Sequence, residues 1–322
     1  MVEERESITS KLCSFARAWH TYHTRDIIFD DYLAFDMMGK EEYENMYELI
    51  KEGLNGDGRL SREDTEKVID EYFAPIPLSR IHFCESRLAE FAEGKDKIQY
   101  VICGAGGDTF AFRNANDNIE IFEVDHPDTQ RYKLERIRKL GWLMRPNVHF
   151  VSVDFEKEKM RERLIESGFD PKVPAFFSIL GVTYYLSLDN LKEVLGQIAS
   201  LSGAYNEVVF DYPFKSHGFP ERVKRLEMIT ESLGEVMCGG FRSDEIRCVL
   251  CGLGYRINIF LPPEEIQSLY FDGREDNLRA FENVSLVSAY FAGYGSMAEE
   301  HLMYFRQQAL SSLQKARNSH RP

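Results

Sequence analysis

The sequence predicts an α/β fold: a doubly wound, mostly parallel sheet with helices on both faces and a helical region ahead of it. Three observations carry that expectation. Short apolar runs alternate with amphipathic stretches from Ile98 onward, the pattern of repeated βα units whose parallel strands need helical crossovers. The first apolar run empties into the glycine-rich turn Gly104-Ala105-Gly106-Gly107. The second and third runs end on acids, at Asp125 and Asp154.

The elements follow in order. Residues 7–23 place Ile8, Leu12, Phe15, Ala16 and Trp19 at helical spacing, with Ser7 as N-cap. Polar helical sequence continues to about Tyr72. The segment NGDGRLSRED within it lacks the regular oxygen series of a calcium loop and reads as a solvated turn. Strands are expected at 98–103, 119–124, 147–153, 174–180 and 206–212, with helices at 126–141, 156–168 and 188–201 between them. Pro127 suits the start of its helix and Gly141 the end. The alternation then pauses. Residues 219–240 read as an inserted helix, a candidate substrate lid, before strands at 254–261 and 284–291. The expected organisation is a helical cap region over 1–95, a core over 96–296 with a helical insert at 213–242, and a C-terminal helix and tail over 297–322.

Composition narrows the function. With 53 acidic against 39 basic residues the net charge of the 322-residue chain is −14. That argues against a nucleic-acid partner, which needs a basic face. No stretch approaches the ~20 apolar residues of a membrane span. The opening MVEERESITS is acidic and polar, unlike a secretory signal, so a cytoplasmic location is expected. The six cysteines are scattered, as in a reducing compartment. Cys248 and Cys251 have CxxC spacing without a second ligand pair, and they read as core residues of a helix ending near Gly252.

The glycine turn holds the main functional signal. Glycine lets the main chain turn sharply and approach a ligand, and ligands of open α/β sheets lie beyond the carboxyl ends of the strands. A tight turn without a ligand has the same sequence. Asp125, however, follows Gly104 by 21 positions, close to the ~20-residue offset of an acid that grips ribose hydroxyls. Asp154 and Phe155 occupy the equivalent tip of the third strand, where a carboxylate can accept from an adenine amino group and a phenyl ring can stack on the base. Thr109 replaces the third glycine of a dinucleotide fingerprint, and Asp108 would face a pyrophosphate. A cationic sulfonium donor without phosphates, S-adenosyl-L-methionine, suits these acids better.

These residues resemble the leucine carboxyl methyltransferase family, in particular its bacterial branch of O-methyltransferases associated with polyketide synthesis. VICGAGGDTFAFR (101–113), FEVDHP (122–127), VDFEKE (153–158) and FFSILGVTYYLS (176–187) resemble four of its motifs in order, and ARAWH and SRIHFCESRL (79–88) fall where the family places a helical cap and an arginine. The resemblance covers nearly the whole chain. It implies the class I S-adenosylmethionine-dependent methyltransferase fold, Rossmann-like and seven-stranded, with an N-terminal helical cap and a helical insert after the fifth strand. It implies that Arg80 binds the methionine carboxylate of the cofactor. Gly104, Ala105 and Gly106 would lie against its methionine and ribose portion, Asp125 would hold the ribose, and Asp154, Phe155 and Leu180 complete the site. On its own context Arg80 reads more readily as a surface ion pair, and the resemblance is what singles it out. The eukaryotic protein-phosphatase branch has an acid where Leu180 stands, which puts a phosphatase substrate in doubt.

The expected activity is O-methylation of a carboxylate or hydroxyl on a small molecule. The alternatives are methylation of a protein carboxyl terminus and a non-catalytic S-adenosylmethionine-binding regulator. A carboxylate, with a pKa near ~4, needs no general base, whereas a phenol near ~10 benefits from one. No base stands out: His126 adjoins the ribose acid, and His217 opens the insert. Tyr184 and Tyr185 either line the acceptor pocket or pack against the sheet edge. Neither a metal site nor an oligomeric state is legible.

Overall fold

The computed structural model describes residues 8–293 apart from 54–57, 155–156, 202, 204, 216–217, 219, 235–236 and 238–239. His217, Phe155 and the expected C-terminal helix and tail (297–322) lie outside the described residues.

The helical region comprises α1 (Ile8–His23), α2 (Ala34–Met38), α3 (Lys40–Lys51), α4 (Arg62–Val68), a π-helical turn (Ile69–Phe73) and α5 (Pro75–Ala92). The α/β alternation follows: β1 (Ile98–Cys103), α6 (Phe110–Arg113), β2 (Ile119–Asp125), α7 (Pro127–Leu140), β3 (Val148–Ser152), α8 (Met160–Glu166), β4 (Ala175–Ile179), α9 (Leu188–Ser200) and β5 (Asn206–Pro213). The remainder is α10 (Glu221–Ser232), α11 (Ser243–Gly252), β6 (Tyr255–Leu261), α12 (Pro263–Tyr270) and β7 (Val284–Phe291). No helix among the described residues is long and apolar enough to cross a membrane.

The seven strands form one sheet in the order β3-β2-β1-β4-β5-β7-β6, parallel except for β7, which runs antiparallel between β5 and β6. This is the expected doubly wound, seven-stranded architecture. The period-2 geometry of a strand sends alternate side chains to opposite faces. Ile98, Tyr100 and Ile102 pack with α1, α3 and α5, whereas Val101 and Cys103 pack with α8, α9 and α11. Both faces are therefore covered, which is why the central strands read as continuous apolar runs.

Local signals explain several boundaries. Pro127 opens α7, His126 caps it by accepting from the Asp128 N–H, and Gly141 ends it at φ 67°. Among the described residues two expected helices are shorter than their sequence pattern: that of 156–168 runs over Met160–Glu166, and that of 219–240 over Glu221–Ser232. Cys248 is exposed on α11 and Cys251 only partly buried, so the expectation of a core pair is corrected.

Candidate functional site

Chain order reverses between β1 and β4, so the loops leaving their carboxyl ends diverge and open a crevice. A cavity of about 410 Å³ lies there, walled by the β1 and β4 loops, α1, α5, α10 and the start of β7. That volume is within the range of small-molecule sites.

The glycine turn forms its floor. The Gly104 and Ala105 N–H groups both donate to Val124 O, at 2.8 and 3.2 Å, so the turn is stitched to β2. Gly104 has φ 75°, and a Cβ there would come within 2.5 Å of Val182 Cγ2. Both conformation and space thus require glycine. Asp125 stands opposite: its Oδ2 accepts from Gly106 N–H at 2.6 Å and its Oδ1 from His126 N–H at 2.7 Å. Burial raises the Asp125 pKa, and those two backbone donors oppose the rise. A carboxylate oxygen accepts more than one hydrogen bond, so Asp125 retains capacity for a diol.

Arg80 reaches the cavity from α5. Its Nη1 donates to Asp211 Oδ2 at 3.1 Å and its Nη2 to Cys13 Sγ at 3.3 Å. Asp211 is fully buried at the end of β5 and gathers two further donors, the Tyr184 hydroxyl at 3.0 Å and Gly181 N–H at 2.7 Å. Burial alone would lower the Arg80 pKa; Asp211, Cys13 and Tyr184 turn it upward, so the guanidinium stays charged. Gly181 makes room for it, since a Cβ there would lie 2.6 Å from Arg80 Nη2. Arg80 is therefore a cavity residue held by a buried carboxylate, and the surface-pair alternative is set aside.

Helix α1 closes this end. Arg17 Nε donates to Asp31 Oδ2 at 2.8 Å, and Arg17 Nη2 donates to Gly107 O at 2.7 Å. Asp31 is fully buried and also accepts from the Thr109 hydroxyl at 2.6 Å. One carboxylate thus ties the cap to Thr109, two residues past the glycine turn.

The cavity walls include Arg80, Gly104, Ala105, Gly106, Asp125, Leu180, Tyr184 and Tyr185. Asp154 does not line it, and its carboxylate accepts from Lys157 Nζ at 2.6 Å. Glu123 is turned away from it: fully buried beneath α7, its Oε2 lies 2.5 Å from Lys133 Nζ, and burial lifts its pKa to about 7 against the pull of that lysine. His126 is spent as the cap of α7, and no histidine lines the cavity among the described residues. Sequence reasoning missed Asp211, Gly181, Arg17 and Asp31. Only an acid at the tip of a strand, the cue used for Asp125, could have flagged Asp211.

Comparison with known proteins agrees with this geometry. A family model described as leucine carboxyl methyltransferase matches residues 12–199. A Bacillus subtilis protein, "Putative S-adenosyl-L-methionine-dependent methyltransferase YktD", is 33% identical over 304 residues, 90% of this chain and 99% of that protein. A Mycobacterium marinum protein of the same description is 26% identical over 202 residues, 62% of each chain. Among solved structures, a "putative methyltransferase" from Thermobifida fusca superposes with a TM-score of 0.50 at 16% identity, over 76% of this chain and 94% of that one, a likeness of fold.

Proposed function

Because the chain belongs to the leucine carboxyl methyltransferase family and is an S-adenosylmethionine-dependent methyltransferase, we propose that it methylates an oxygen, a carboxylate or a hydroxyl, of a small-molecule acceptor. The observation that carries this reading is a single cavity joining two unlike ends. One end presents Arg80, the glycine turn and Asp125. The other is walled by aliphatic side chains from α5, α10 and the start of β7, with aromatic ones from the π-helical turn and the segments after β4 and β5.

The residues present fit the cofactor. A guanidinium charged at all relevant pH values suits a carboxylate, and Asp125 suits a pair of hydroxyls. Asp108 also lines the cavity and adds negative charge near a cationic ligand. S-Adenosylmethionine supplies an electrophilic methyl group: the O–C bond forms as the C–S bond breaks, the electron pair stays on sulfur, and a carboxylate becomes a neutral ester with no proton to remove.

The chain's own residues then do two things. Arg80, braced by Asp211, and Asp125 fix the donor in place, which converts a bimolecular encounter into an aligned one. The cap helix α1 and the apolar wall exclude water from the cationic centre. No lining histidine stands ready as a base among the described residues, and Asp211 already accepts from three donors. Both facts support an acceptor that ionises by itself, a carboxylate before a phenol.

The test is turnover on a panel of small carboxylic acids and phenols, read by mass spectrometry for a gain of one methyl group. Methyl esters release methanol in mild alkali and aryl ethers do not, so the two oxygen classes separate. Methylation found only on nitrogen or carbon, or only on protein carboxyl termini, overturns the proposal.

A further inference from the structure

We propose that Asn283 is the residue that grips the acceptor, and that the acceptor is a small apolar molecule carrying one acidic oxygen. This rests on the methyl-transfer reading above and adds a substrate class to it.

The far end of the cavity is walled by Tyr72, Ile76, Tyr185, Phe214, Val223 and Leu226. Tyr72 and Tyr185 bring phenolic hydroxyls on aromatic rings, and the remaining polar groups can be taken in turn. The Tyr184 hydroxyl donates to Asp211 at 3.0 Å. The Thr230 hydroxyl donates to carbonyls of its own helix, Glu227 O at 2.9 Å and Leu226 O at 3.2 Å. Lys215 and Glu227 line the cavity but are solvent-exposed, one of each sign. Asn283 differs from all of these. It is 8% exposed and lines the cavity, yet its carboxamide makes no hydrogen bond among the described residues.

Its backbone, by contrast, is fixed. Asn283 O accepts from Phe214 N–H at 2.7 Å, and the next residue begins β7 with Val284 in register with Pro213 of β5. The amide is therefore held at the carboxyl edge of β5. It is separated by β4 from the β1 and β2 tips that carry the glycine turn and Asp125. The amide faces the cavity with none of its hydrogen-bonding capacity taken by the described residues, and a ligand or water can complete it. Its NH₂ offers two donors and its oxygen one acceptor position. The NH₂ matches a carboxylate or phenolate oxygen, the Oδ1 matches a phenol O–H, and the surrounding walls match a hydrocarbon body.

The test uses protein saturated with S-adenosylhomocysteine and three probes of one shape: 2-naphthoate, 2-naphthol and 2-methylnaphthalene, followed by naphthalene fluorescence. The two oxygen acids should bind, and Asn283→Ala should weaken both by about tenfold, the loss of one hydrogen bond. The isosteric Asn283→Asp should weaken 2-naphthoate further by like-charge repulsion while sparing 2-naphthol, which can donate to it. Neither variant should alter the hydrocarbon or S-adenosylhomocysteine itself. Should Asn283→Ala fail to fold, the isostere alone decides through the naphthoate-to-naphthol ratio. The proposal is overturned if both acids keep their affinity, if the hydrocarbon weakens equally, or if none of the probes binds the loaded protein. Failure of S-adenosylhomocysteine to bind the wild type would instead overturn the methyl-transfer reading.

Discussion

Two helices close the two ends of the cavity, and each is secured by one buried arginine. The two arginines are held in opposite ways. On α1, Arg17 meets the Asp31 carboxylate and Gly107 O, charge against charge. On α10, Arg222 is 5% exposed and donates chiefly to main-chain carbonyls: Nη1 to Ala280 O at 2.8 Å, Nη2 to Arg279 O at 3.0 Å and Nε to Glu71 O at 3.0 Å. Glu282 Oε2 approaches Nη1 at 3.3 Å, and the guanidinium lies 3.9 Å over the Phe281 ring. Burial lowers the Arg222 pKa, with Glu282 opposing. The contrast teaches what each end is for. The end proposed for the cofactor has an ionic network tied to the glycine turn. At the acceptor end, α10 is fastened to the segment 279–282, directly before Asn283, so the wall and the amide are set by the same cation.

The largest effect should come from the residue between the ends. Asp211 holds Arg80 on the cofactor side and Tyr184 on the acceptor side. Asp211→Ala leaves a buried guanidinium without its partner, and such losses cost about 3–5 kcal/mol. The unfolding free energy should fall by that amount, read as a lower urea midpoint at constant m-value, and S-adenosylhomocysteine affinity should fall with it. A loss under about 1 kcal/mol would mean that Arg80 finds another partner and that the two ends are not braced by a common carboxylate.

The α1 end should also be the more acid-sensitive. His20 is 1% exposed on α1, and its Nε2 accepts the Ile28 N–H at 2.8 Å. Burial, aided by Arg274, lowers its pKa from 6.5 to about 4. The unfolded chain takes up a proton as pH falls through 6.5, and the folded chain resists until about 4. The contribution of neutral His20 is thus complete above the unfolded pKa and is lost as pH falls towards the folded one, by about 3 kcal/mol in all. Urea unfolding of wild type and His20→Gln at neutral pH and near the folded pKa should show the slope reduced by that share in the variant. Identical slopes would remove His20 from the account.

How much of this was legible depended on distance along the chain. The central strands were readable because both faces are buried and each stands out as a short apolar run, whereas the edge strands β3 and β6 are only partly buried. The glycine turn and Asp125 were readable because a fixed offset relates them. The brace was not: Arg80 and Asp211 are 131 positions apart, and neither residue's neighbours mark it. Helix α5 was expected only as part of the helical cap region over 1–95, not from a periodicity of its own. Its buried residues include Pro77, Leu78, Ser79, Ile81, Phe83 and Cys84, which surround the axis and leave no single apolar stripe to detect. Asp154 is legible as an acid at a strand tip, but its pairing with Lys157, three residues on, is not.

The smallest effect separates geometry from charge within the cofactor end. Asp125 already accepts Gly106 N–H and His126 N–H, so removing it has two consequences. Asp125→Ala strips the hydroxyl acceptor from the ribose position and also releases the N–H that shapes the turn. Together these should weaken S-adenosylhomocysteine binding by about 1–3 kcal/mol, roughly ten- to a hundredfold. Asp125→Asn keeps one carbonyl oxygen for Gly106 and should recover part of that loss if turn geometry carries it. It should recover none if the charge does. Calorimetry on both variants reads the partition, and unchanged affinity in the alanine variant would place the ribose elsewhere in the cavity.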